Sequence, residues 1–231
     1  MADEIIKISS LTLNYGKTEA LRSLNLSLSG GEIVGLLGAN GSGKTTLMRV
    51  LSGLLMQWKG SVELDGESDL WQAKRKICFM PADPFVEDGM SIGSAIRVFS
   101  ELFPAYRSNL AEELFREFHL DLSSHITTLS KGRRALAVFI LYLSRSAKLY
   151  LLDEPFGGID IKTREEMKEV LLSQAAPDKT FLISTHEITD TESVFDRIVI
   201  IREGQTVMNE EADALRARYG KNIRELSKEV F

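Results

Sequence analysis

A chain of 231 residues with 44% hydrophobic content has the material for one globular domain and a sizeable core. Its formal net charge of −5 argues against a dedicated nucleic-acid binder, and its single cysteine, Cys78, excludes a disulfide framework and fits a reducing, cytoplasmic setting. The acidic start "MADEIIKISS" lacks the apolar core of a signal peptide, and the most apolar run, Ala135 to Leu143, is about half as long as a membrane helix.

The first elements alternate apolar and polar residues. "IIKISSLTLNYG" and "LRSLNLSLSGGE" therefore predict antiparallel strands with one wet face. "IVGLL" is short and wholly apolar, the pattern of a strand buried on both faces. A glycine-rich loop and a helix follow it at once. "GSVELDGESDL" adds a strand to the antiparallel set, with Asp65-Gly66 as a turn. "KICFM", "KLYLLD" and "TFLIST" repeat the buried-strand pattern, so with "IVGLL" they predict a parallel sheet covered by helices. Between Pro84 and Ser130, "SIGSAIRVFSELF" and "NLAEELFREFHL" carry helical spacing and predict an inserted helical subdomain at about 85–134, within a core of 1–84 and 135–231. "RIVIIREGQTVMNE" predicts a closing hairpin near Gly204, and the charged C-terminal piece reads as helix.

The loop after "IVGLL" carries the chemistry. Gly38, Gly43, Lys44 and Thr45 satisfy G-x-x-x-x-G-K-[ST] between a strand and a helix, the context that gives this pattern its meaning. Across Gly38, Ala39, Asn40, Gly41, Ser42 and Gly43 the backbone can wrap a polyphosphate with its N–H groups inward, and the helix N-terminus adds its positive dipole end. Lys44 then reaches the β- and γ-phosphates of ATP, the Thr45 hydroxyl holds Mg²⁺, and Thr46 bonds a phosphate oxygen. Asp153 closes the strand "KLYLLD", at the carboxyl end where such sheets bind ligands, and can hold Mg²⁺ through a water. Glu154 follows it and can orient or deprotonate the attacking water. The fold class is thus α/β: a P-loop core with a mainly parallel sheet, an antiparallel β-subdomain and a helical insertion.

With these residues in this order, the sequence resembles the ATP-binding subunit of an ABC transporter over nearly its whole length, and most of all the ABC-2 type. "LSKG", Leu129 to Gly132, matches the family signature, and "GGID", ending at Asp160, matches the loop after the catalytic acid. His186 matches the switch histidine and Tyr15 the aromatic that stacks on adenine. The resemblance implies two such ATPases, identical or not, paired head to tail around two ATP molecules. Ser130, Lys131 and Gly132 of one subunit would then touch the γ-phosphate held by the other, with Asp160 in the dimer loop. It also implies a catalytic role for Glu154 and His186 and a separate transmembrane permease. The chain itself would be cytoplasmic and peripheral on the membrane, with export as the expected direction. A cluster-assembly ATPase with soluble partners and a binding-only subunit are the rival readings.

Two positions depart from the family pattern. The glutamine expected after "KICFM" is Ala82, whose methyl can neither ligate metal nor position water, and Asp83 beside it is a candidate substitute ligand. In the signature, Lys131 and Arg133 replace the usual glycine and glutamine.

Overall fold

The computed structural model describes residues 4–84, 86, 89–186 and 192–219. Strands β1 (Glu4–Tyr15), β2 (Thr18–Ser29) and β4 (Lys59–Leu64) form an antiparallel sheet in the order β2-β1-β4. Strands β3 (Ile33–Leu37), β5 (Ile77–Met80), β6 (Leu149–Asp153), β7 (Thr180–Thr185), β8 (Arg197–Arg202) and β9 (Gln205–Glu211) form the second sheet. Its order is β5-β6-β7-β3-β8-β9, parallel throughout except for β9, which turns back on β8 through Glu203 and Gly204. The expected sheets and closing hairpin are thus present.

The helices are α1 (Lys44–Leu51), the single turn α2 (Leu70–Ala73), α3 (Ile92–Leu102), α4 (Ser108–Glu117), α5 (Lys131–Leu143), α6 (Ile161–Gln174) and α7 (Ala212–Tyr219). Of the expected C-terminal helix, α7 lies among the described residues and the remainder, 220–231, outside them. Neither sequence pattern nor length announced α2, which depends on Asp69 accepting the Trp71 N–H at 2.9 Å as an N-cap. Helices α3 and α4 occupy the stretch between β5 and β6. Helix α5 runs on without a break from that stretch to the foot of β6.

The central strands are apolar on both faces because each face meets a different core. Leu36, Leu151, Leu182 and Val199 pack with α1 and the antiparallel sheet; Leu37, Tyr150, Leu152, Phe181 and Ile183 pack with α3 to α6. Tyr150 stacks on Phe181 at 4.6 Å, and both rings are fully buried. Each such side chain contributes roughly 1.5–3 kcal/mol by leaving water. Anchoring at this density holds the carboxyl ends of β3, β6 and β7 in register, with Leu37 opposite Thr185 and Asp153 opposite Ser184. The functional side chains stand at those ends.

Candidate active site

The glycine loop leaves β3 at Gly38 and enters α1 at Gly43. Gly43 has φ 112°, and a Cβ there would lie 2.8 Å from the Ala20 carbonyl oxygen, so a side chain is excluded on both counts. No side chain caps α1. Its first N–H groups therefore face a cavity of about 180 Å³ lined by Gly41, Gly43, Lys44, Thr45, Thr46 and Glu154. Asn40 and Ala20 complete the wall, which means the hairpin of the antiparallel sheet closes one side. An open helix N-terminus over a polar cavity is a site for phosphate.

Lys44 reaches back along the loop. Its Nζ donates to the Gly38 carbonyl at 2.6 Å and the Ala39 carbonyl at 3.2 Å, and lies 3.8 Å from Glu154 Oε1. It is 6% exposed. Burial holds its amine below the usual lysine value, partly offset by the Glu154 and Asp153 carboxylates.

The two acids come from the end of β6. Asp153 is buried; its Oδ1 accepts from the Thr45 hydroxyl at 3.2 Å and from Ser184 Oγ at 2.6 Å. Glu154 leaves the strand with φ 50°, a left-handed conformation that costs a non-glycine residue roughly 1–3 kcal/mol. Its N–H donates to Ser184 Oγ at 2.9 Å, and its Oε2 lies 2.8 Å from His186 Nδ1. Lys44, Glu154 and His186 therefore form one chain of contacts across the ends of α1, β6 and β7. The hydroxyl of Thr45 beside the carboxylate of Asp153 is a hard-oxygen pair suited to Mg²⁺, which takes few protein ligands and completes its shell with phosphate and water.

The remaining candidates lie further out. Tyr15 ends β1 and is 46% exposed. Ala82 and Asp83 are exposed in the loop after β5. Ser130 caps α5, accepting the Arg133 N–H at 3.3 Å. Asp160 caps α6, accepting from the Thr163 N–H at 3.0 Å and the Thr163 hydroxyl at 2.8 Å; these bonds lower its carboxyl pKa. The two caps are neighbours: a Cβ on Gly132 would fall 2.4 Å from Thr163 Oγ1 and 2.7 Å from Asp160 Oδ2. Arg133 pairs with Glu166 at 3.0 Å one turn further on, and Lys131 Nζ lies against Gly158. The segments Ser130–Gly132 and Gly158–Asp160 are thus neighbours.

Sequence reasoning passed over Ser184, which touches both acids. The signal available was a serine inside an otherwise buried apolar strand.

A mostly parallel sheet with a phosphate loop at the first buried strand and an acid pair two strands away defines a P-loop nucleotide hydrolase. The chain belongs to the ABC transporter family, which it matches over residues 21–157. It is 29% identical over 207 residues to the uncharacterized ABC transporter ATP-binding protein MJ1023 of Methanocaldococcus jannaschii, covering 87% of this chain and 76% of that one. It is 27% identical over 223 residues to the lantibiotic transport ATP-binding protein SrtF of Streptococcus pyogenes, covering 96% and 95%. Among solved structures, the ATP-binding subunit of an ABC transporter superposes with a TM-score of 0.80 at 25% identity, covering 94% of this chain and 93% of that one. Membership makes the chain an ATPase of the ATP-binding-subunit type.

Proposed function

We propose that this chain hydrolyses ATP with Mg²⁺ as one half of an ATP-closed dimer, and that closure drives a separate transmembrane permease. The observation that carries the reading is that Lys44, Thr45 and Glu154 line the cavity at the α1 N-terminus, with Asp153 bonded to Thr45 and His186 to Glu154.

In this reading the Gly38–Gly43 loop and the first turn of α1 bind the phosphates through backbone N–H groups. Lys44 releases its two loop carbonyls and turns its charge onto the β- and γ-phosphates. Thr45 and Asp153 would hold Mg²⁺, whose charge would offset that of the phosphate oxygens. Glu154 takes the proton of the attacking water, and His186, 2.8 Å from it, fixes the carboxylate's direction and senses the γ-phosphate. Tyr15 stacks on adenine.

The second half-site comes from another copy or a paralogue. Ser130 and Gly132 present the α5 N-terminus to its γ-phosphate, Lys131 adds a positive charge the usual signature lacks, and Asp160 lies in the contact. The helical stretch at about 85–134, set in a core of 1–84 and 135–231, carries that signature.

No helix among the described residues is long and apolar enough to cross a membrane, so the membrane passage is assigned to the permease. Export as the direction rests on likeness to SkfE of Bacillus subtilis, 26% identical over 213 residues, whose name places it in SkfA peptide export. Placement at the cytoplasmic membrane face follows from the same reading.

The test is the oligomeric state of Glu154→Gln by size-exclusion chromatography with light scattering. With Mg²⁺ and ATP it should accumulate as a dimer and return to monomer when ATP is removed. A monomer at saturating ATP contradicts the proposal.

A further inference from the structure

Ser184 has no exposed surface and stands directly opposite Asp153 in the parallel β6–β7 ladder. Its hydroxyl is used twice, donating to Asp153 Oδ1 at 2.6 Å and accepting the Glu154 N–H at 2.9 Å. The directions are forced, because an ionised carboxylate only accepts and a backbone amide only donates. Asp153 Oδ1 takes a second O–H from Thr45 at 3.2 Å, so this carboxylate is held from α1 and from β7 together. On the other side, Glu154 at φ 50° is in a region that non-glycine residues rarely enter. The Ser184 oxygen pairs the amide that this turn presents.

We propose that Ser184 is a positioning residue for ATP hydrolysis: one hydroxyl sets the rotamer of Asp153 and pins the left-handed backbone of Glu154, so that both acids act as a rigid unit. The proposal rests on the roles given to Asp153 and Glu154 above. The position demands a donor and an acceptor on one small buried atom, which serine supplies. Alanine deletes both bonds with little loss of volume. Cysteine keeps the shape with a somewhat larger atom and offers only a weak donor and a weak acceptor.

The experiment uses the full chain as wild type, Ser184→Ala, Ser184→Cys, Ser184→Thr, Glu154→Gln, and Ser184→Ala combined with Glu154→Gln. Steady-state turnover of Mg-ATP, the Mg²⁺ concentration for half-maximal turnover, ATP affinity in EDTA by calorimetry, and thermal melting are measured for each. Ser184→Ala should lower kcat by roughly ten-fold or more, equivalent to about 1.4 kcal/mol in the barrier. It should raise the Mg²⁺ requirement, while metal-free ATP affinity stays within about two-fold, because the phosphate loop is untouched. Ser184→Thr, which keeps the hydroxyl, should recover most of the turnover. On the Glu154→Gln background the serine change should cost less than about two-fold, since residues acting as a unit are not additive.

Wild-type kcat in Ser184→Ala overturns the proposal. So does an equal loss on both backgrounds, or a fall in metal-free affinity that tracks kcat. Should Ser184→Ala fail to melt cooperatively, Ser184→Cys decides: low kcat with intact metal-free affinity supports the proposal, and wild-type kcat overturns it. Wild-type turnover in Glu154→Gln would instead remove the base role of Glu154. The Ser184 proposal would then stand or fall on the shift in Mg²⁺ requirement.

Discussion

Gly132→Ala is the perturbation whose outcome the coordinates constrain most tightly. The new methyl would lie 2.4 Å from Thr163 Oγ1 and 2.7 Å from Asp160 Oδ2, well inside contact distance. Alanine would ordinarily favour a helix by about 1 kcal/mol over glycine. Here the clash decides the sign, because relief requires α5 to move off α6 or Thr163 to turn away from its cap. Overpacking of this kind costs about 1–3 kcal/mol, and loss of the Asp160 cap costs about 1 kcal/mol more. The net is a destabilisation of about 1–3 kcal/mol, and at this chain length each kcal/mol lowers the melting temperature by roughly 2–4 °C. Differential scanning calorimetry should register that drop. ATP affinity should hold, because the phosphate loop is untouched, while turnover should fall by about ten-fold as the signature loses its place in the closed dimer. Adding Thr163→Ala removes the nearer obstacle and should return part of the melting temperature. Unchanged melting and turnover in Gly132→Ala would refute the packing argument and the placing of Gly132 at the dimer contact.

Lys44→Ala should weaken ATP binding roughly ten- to hundred-fold in a calorimetric titration, the scale of charge-assisted hydrogen bonds at about 1.5–3 kcal/mol. Burial lowers the Lys44 pKa, so between that value and the ordinary 10.5 the folded chain holds fewer protons than the unfolded one, and stability without ATP should rise with pH across that window. Phosphate beside the amine reverses the preference. ATP binding should therefore take up a proton in the same window, and affinity should fall as pH rises through it; titrations in buffers of different ionisation enthalpy measure this, and Lys44→Ala should abolish it. Ala82→Gln should raise turnover a few-fold, roughly 1 kcal/mol or less in the barrier, with ATP affinity unchanged. Asp83→Ala, at an exposed position in the loop after β5, should leave phosphate release unaltered.

The parallel sheet was legible because its strands are apolar on both faces, and "IVGLL" and "KLYLLD" have no other stable setting than between two layers. The phosphate loop was legible because few purposes require that spacing of glycines before Lys44. What escaped the sequence was local geometry with no periodic signature. Helix α2 depends on one aspartate cap. Glu154 adopts a left-handed backbone although it is neither glycine nor asparagine, with its N–H on Ser184 and its carbonyl accepting the Gly157 N–H. In "TFLIST" the serine and threonines looked like ordinary strand residues, yet Ser184 points at the acids and Thr180 accepts the Gly31 N–H. The approach of Gly132 to Asp160 and Thr163 joins positions about thirty residues apart, a distance no short-range pattern spans.

In the mechanism proposed above, this chain turns over ATP with Glu154 as the base. The decisive measurement is phosphate release from Mg-ATP by the purified wild type and Glu154→Gln, each with its ATP affinity measured alongside. The predicted result is steady release by the wild type, release reduced by about a hundred-fold or more in the variant, the upper part of what general-base catalysis supplies, and similar ATP affinity in both. Wild-type release by Glu154→Gln, or no release by a wild-type chain that binds ATP, would contradict the claim.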